Sequence, residues 1–179
     1  MKDLDPAARQ QAAEILVLAF KENWPTAYPA LGDALNEVNA SLGEGRISCA
    51  ALDEAGKVVG WIGGIKSYDG HAWELHPLAV HPDAQHQGIG EALVRDFEEQ
   101  VRARGGATVF LGSDDENNLT TLSGTDLYPD VLSHLQAIKD IKGHPFVFYQ
   151  KLGYVIVGAI PDANGFGKPD ILMAKRISK

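Results

Sequence analysis

The stretch from Leu78 to Arg95 reads Leu-Ala-Val-His-Pro-Asp-Ala-Gln-His-Gln-Gly-Ile-Gly-Glu-Ala-Leu-Val-Arg and passes from an apolar run through Gln-x-x-Gly-x-Gly into helical spacing. It predicts a strand, a tight turn and a helix in immediate succession. A helix N-terminus presents unpaired N–H groups and about half a positive charge, and glycines let those amides approach an anion without a Cβ in the way. The expected ligand is the pyrophosphate of a phosphorylated cofactor. Gln85, His86, Gln87, Gly88, Ile89, Gly90 and Glu91 would hold it, mainly through their main chain. A P-loop is excluded because Glu91, not Lys-Ser/Thr, follows the second glycine. A dinucleotide fingerprint is excluded because Gly88-Ile89-Gly90-Glu91-Ala92-Leu93 lacks the third glycine.

The rest of the chain supplies a setting for that junction. At 179 residues and 45% apolar composition it fits one domain with an ordinary core, over residues 1–179. The longest early apolar run, Ile15 to Phe20, is too short for a leader or a membrane span, so a cytoplasmic location is expected. A net charge of −8 excludes nucleic-acid and acidic-membrane partners and favours a cationic substrate. The one cysteine, Cys49, lies among Ile47, Ala50 and Leu52 and reads as a small core hydrophobe.

Asp5-Pro6 caps a first helix carrying Ala12, Ile15, Leu16, Ala19 and Phe20, and Leu31 to Leu42 predicts a second, closed by Gly43. Between them lies a loop with Trp24-Pro25 and Tyr28-Pro29. Strands are expected at 47–52, 57–66 and 73–81, then a helix over 89–104 with Leu93, Phe97 and Val101 inward and Glu91, Arg95, Glu98, Glu99 and Arg102 outward. A strand at 108–111 completes a parallel crossover. Residues 113–143 read as a loop with helical periodicity from Val131 to Ile141. A helix over 144–152 and strands over 154–160 and 171–177 close the chain.

The Gln85-to-Gly90 turn resembles the cofactor loop of the GNAT N-acetyltransferase superfamily. His144-Pro-Phe-Val-Phe-Tyr-Gln-Lys-Leu-Gly-Tyr154 is similar to that superfamily's Phe-Tyr-x-Lys-x-Gly-Phe/Tyr segment. A narrower resemblance runs over residues 57–177. Trp73-Glu-Leu-His-Pro-Leu78, Leu111-Gly-Ser-Asp-Asp-Glu116, His144-Pro145, Ile160-Pro-Asp-Ala-Asn-Gly165 and Lys168-Pro-Asp-Ile171 are similar to the aminoglycoside 6′-N-acetyltransferases. The resemblance implies an α/β (α+β) fold, a mixed central sheet flanked by helices, and acetyl transfer from acetyl-CoA to a 6′-amine, with antibiotic resistance as the outcome and a homodimer as the assembly. Acetylation of another small amine or of a protein N-terminus is the enzymatic alternative, and an acyl-CoA-binding sensor the non-enzymatic one.

Roles follow from the chemistry of amine acetylation and from the resemblance together. Glu74 could take a proton from the donor ammonium, and His76, two residues on, is expected on the same strand face to position the amine. Leu78 N–H is implied as the oxyanion donor, with Ala79 and Val80 beside the pantetheine arm. Tyr149 is implied as the acid that protonates the departing thiolate and as a contact of the cofactor. Crowded Asp114, Asp115 and Glu116 suit a polyamine, with Asp170, Trp24 and Tyr28 as further substrate contacts and Asp162 as a weaker one. His76, His81 and His86 share no helical face, so no metal is expected.

Overall fold

The computed structural model describes residues 5–21 and 24–178. The described chain forms two compact units, one running to Val109 and taking up the chain again at Ile177, the other spanning Phe110–Arg176. Six strands make up a mixed sheet; the first three along the chain are neighbours in the first unit, and the fourth, sixth and fifth, in that order, in the second.

In the first unit, α1 (Pro6–Phe20) begins as its sequence dictates: Asp5 accepts the Ala8 N–H at 2.8 Å, with proline in the first turn. It packs with α2 (Leu31–Ala40). Their Ala12, Ala13, Ile15, Leu16, Ala34 and Val38 form one buried cluster with Val58, Trp61 and Ala79 of the sheet. That sheet consists of β1 (Arg46–Leu52), β2 (Val58–Ser67) and β3 (Ala72–Val80), all antiparallel.

The helix α3 (Ile89–Ala103) covers the other face. It comes close because β2 offers glycine there. A Cβ on Gly60 would stand 3.0 Å from Leu93 and 3.1 Å from Ile89, and one on Gly64 would collide with the Phe97 ring. Leu93, Phe97 and Val101 are buried as their spacing predicts, each contributing about 1.5–3 kcal/mol. Glu98, expected on the polar face, is buried instead, because it borders Val94 and Val101 on the inward side. Cys49 is buried and accepts from Gln100 Nε2 at 2.7 Å, and burial together with Asp96 pushes its thiol up to about 12. It is a core residue.

The second unit holds β4 (Thr108–Asp114), most of which lies beyond Val109, then α4 (Val131–Gln136), α5 (Phe146–Lys151), β5 (Val155–Ile160) and β6 (Asp170–Arg176). Three of these elements differ from the sequence expectation by two residues or more. β4 runs three residues past Leu111, because its buried face continues through Ser113, a position that hydrophobic patterning passes over. α4 is shorter than the periodicity of 131–141, and a bridge between Thr120 and Asp140 takes the end of that stretch. α5 starts at Phe146 rather than His144, whose imidazole Nδ1 accepts the Phe146 N–H at 3.1 Å.

Candidate functional site

The phosphate-loop candidates form a turn whose side chains are directed at its own backbone. His81 Nδ1 accepts from Asp83 N–H at 3.2 Å, Gln85 Nε2 donates to Val80 O at 3.3 Å, and Gln87 Nε2 donates to Asp83 O at 3.2 Å. The loop is thereby shaped by its own side-chain amides, and Gln85 to Gly88 remain exposed. Gly88 is the N-cap of α3 at φ 83, a left-handed conformation that favours glycine, and no side chain caps the helix. The first helical bond is Ala92 N–H to Gly88 O, which leaves the amides of the first turn directed outward at the amino end of a fifteen-residue helix. This arrangement fits an anion. The negative charge of Glu91 does not oppose it: Arg95 holds that carboxylate from the next turn, with Nη2 at 2.6 Å and Nε at 2.9 Å.

Upstream, β3 carries an irregularity that alternation alone does not reveal. Ile62 of β2 pairs with Leu78 and Gly64 with Leu75, so His76 and Pro77 together oppose the single Gly63. Leu75 and Leu78 therefore face the same side, as do Val80 and Gly60, the side on which α3 packs. Glu74, paired with Ile65, faces the opposite side. Glu74, His76, Leu78 and Val80 are all half-buried, but their even spacing does not put them on one face. Ala79 is buried beside Trp61 as part of the core. A bulge re-aims a strand and takes main-chain groups out of the ladder, which is the local feature needed where a backbone amide is to meet a ligand.

In the second unit Tyr149 lies on α5 between Phe148 and Tyr154, with ring centroids 5.0 and 5.7 Å away. It is 9% exposed, and burial raises its pKa, which keeps the phenol protonated. The acidic segment does not hold three equivalent carboxylates. Asp115 is fully buried, and its two oxygens accept from Leu119 N–H at 2.7 Å, Thr120 N–H at 2.9 Å and Thr120 Oγ1 at 2.7 Å. Asp115 thereby organises the turn that follows β4. Asp114 is half-buried and accepts from Asn164 Nδ2, while the main-chain oxygen of Glu116 accepts from Lys168 Nζ. Asp170 is half-buried at the start of β6, its carboxylate lying over Gly112, where any Cβ would collide with it. Asp162 accepts from Gly167 N–H at 2.6 Å.

The aromatic loop lies between α1 and α2. Tyr28 packs edge-on against Phe20 at 5.1 Å and against the α1–α2 core, and burial, then Glu37, raises its pKa. Trp24 is half-buried, and its main-chain carbonyl accepts the Ala27 N–H. Among the described residues no three His, Cys, Asp or Glu are grouped to hold a metal, and no helix is long and apolar enough to cross a membrane. His144, Asn164, Gly112 and the β2 glycines were not singled out from the sequence as site residues, although His144-Pro145 immediately before a helix is the kind of signal that marks a capping side chain.

Residues 9–122 match the acetyltransferase (GNAT) family. An acetyltransferase of Photorhabdus laumondii is 38% identical over 65 residues, 36% of this chain and 44% of that protein, so the chain matches less than half of that relative's length. Two solved structures are similar over nearly the whole chain. An aminoglycoside 6′-N-acetyltransferase complexed with coenzyme A is 40% identical, with 98% of this chain and 93% of that chain covered and a TM-score of 0.88. The aminoglycoside 6′-N-acetyltransferase from Enterococcus faecium is also 40% identical, with the same coverage and a TM-score of 0.86.

Proposed function

Since this chain belongs to the acetyltransferase (GNAT) family, we propose that it moves acetyl from acetyl-CoA to the 6′-amine of an aminoglycoside, as a single N-acetyltransferase domain over residues 1–179. The observation that carries the reading is the turn before α3: its amides are uncapped by any side chain, and its own glutamines are occupied with loop carbonyls. That backbone suits the pyrophosphate of coenzyme A. The 40% identity to two aminoglycoside 6′-N-acetyltransferases supports the choice of amine.

Acetyl-CoA, when bound, supplies the thioester. Gln85 to Glu91 hold its phosphates, and Val80 and the main chain of Ala79 lie along the arm. Glu74 accepts a proton from the substrate ammonium, directly or through water, and His76 orients that group. Leu78 N–H, at the end of the bulge, donates to the developing oxyanion. Tyr149 donates its proton to the departing thiolate. Burial keeps the phenol protonated and raises the cost of giving up its proton, so the transfer depends on close placement. Asp114, Glu116 and Asp170 remain the anionic contacts for a polyamine, without Asp115. Acetylation removes a positive charge from the drug, so resistance is the consequence.

The test is thiol release from acetyl-CoA across a panel of small amines, N-terminal peptides and aminoglycosides, with the acetylated position located by mass spectrometry. Preferred turnover of aminoglycosides at the 6′-amine is expected. Turnover confined to peptides or other amines would overturn the substrate, and no thiol release with any amine would overturn the enzyme.

A further inference from the structure

We infer that His144 is a positioning residue that fastens the first turn of α5, and with it Tyr149, to the end of β4 that carries Asp114. The inference rests on the acetyl-transfer reading, because only there do Tyr149 and Asp114 act in one reaction. His144 is 1% exposed, and both ring nitrogens have partners. Nδ1 accepts the Phe146 N–H at 3.1 Å, so the ring proton belongs on Nε2, which lies 3.2 Å from the main-chain oxygen of Asp114. A single neutral tautomer satisfies both, and burial favours it by lowering the pKa against the pull of Asp115, Asp140 and Asp114.

Each arm ends on a group that the proposed chemistry needs. Phe146 opens α5, whose N-cap Pro145 provides no side-chain bond, so the imidazole supplies the missing cap. Tyr149 stands three residues further, one turn along the same buried face. On the other arm, Asp114 presents its carboxylate to Asn164 while its carbonyl is held by the imidazole. The His144 loop is itself fixed, since Asp140 Oδ1 accepts the N–H groups of Gly143 and His144 at 2.8 Å each. A side chain needed only to fill space would be apolar at this position; a buried imidazole costs desolvation unless both nitrogens are satisfied, as they are here.

The two arms can be separated by substitution. His144→Asn places an amide oxygen near the position of Nδ1 and keeps the helix arm, whereas His144→Gln reaches the position of Nε2 and keeps the strand arm. Steady-state kinetics on the best amine of the parent should then divide. The Gln variant is expected to lose about tenfold in kcat with little change in KM for the amine, and the Asn variant to raise that KM about tenfold with kcat nearly kept. Coenzyme A-dependent thermal shifts would verify that both variants fold. Hydrogen exchange of the Phe146 amide should be faster in the Gln variant than in the Asn variant, a readout that needs no turnover. Equal exchange, or equal effects of both variants on kcat and KM, would overturn the positioning role. A parent that releases no thiol with any amine would overturn the acetyl-transfer reading instead, leaving the exchange experiment to judge the lock.

Discussion

The loop before α3 and the turn after β4 are built from the same device, side chains hydrogen-bonded to nearby main chain, and they end with opposite things on offer. In the first, Gln85 and Gln87 donate to carbonyls, so the backbone N–H groups of the helix start stay available. In the second, Asp115 accepts from the N–H groups of Leu119 and Thr120, so its charge is spent inside the turn. An anion site and an anionic side chain are thus decided by which partner the local bonds consume. Charge in the sequence does not foretell it.

The sharpest way to break this comparison is to set an available carboxylate against a consumed one. Glu74→Gln keeps the shape of the half-buried side chain but removes proton acceptance. It should cut kcat/KM by roughly a hundred- to ten-thousandfold, with the loss shrinking at high pH where the amine is already neutral, and should leave the melting temperature close to the parent's. A parent-like pH–rate profile would mean that Glu74 is not the base. Asp115→Ala should act the other way. Orphaning three donors is expected to cost about 3 kcal/mol of stability in denaturant titrations, with little change in KM for the amine. An unchanged unfolding midpoint with a raised KM would return Asp115 to the substrate site.

Smaller effects test the loop. Gly88→Val puts a β-branched residue at φ 83, a strain of about 1–2 kcal/mol that should appear as weaker coenzyme A binding by calorimetry. Gly88→Asn should recover most of it, because asparagine tolerates the left-handed region. No space is short there in the chain itself, so if Asn proves as damaging as Val, the glycine serves clearance for the ligand rather than backbone conformation. The least change is expected from Arg95→Ala, which frees the exposed Glu91 carboxylate near the helix start. Coenzyme A affinity should fall by less than about twofold and recover in high salt. A tenfold fall would show Arg95 touching the ligand.

Much of this molecule follows from the order of its residues. The Asp5 cap, the apolar stripe of α3, the Gly105-Gly106 stop and the strand-to-helix turn at Gly88 are local, and local propensity, spacing and glycine conformation suffice to write them down. The position of Tyr149 on a short helix ended by Gly153 is equally legible. What tertiary structure decided is where each side chain's bonding capacity goes. The strand β4 continues through Ser113, a buried polar position that no hydrophobic pattern registers. The pair His76-Pro77 opposes one glycine of β2, so Glu74 and Leu78 part company across the sheet although their spacing is even. Asp115 is tied into its own turn, and His144 gains two partners thirty and two residues away. A sequence lists donors, acceptors and charges; only folding pairs them, and a polar group's function is what remains after pairing.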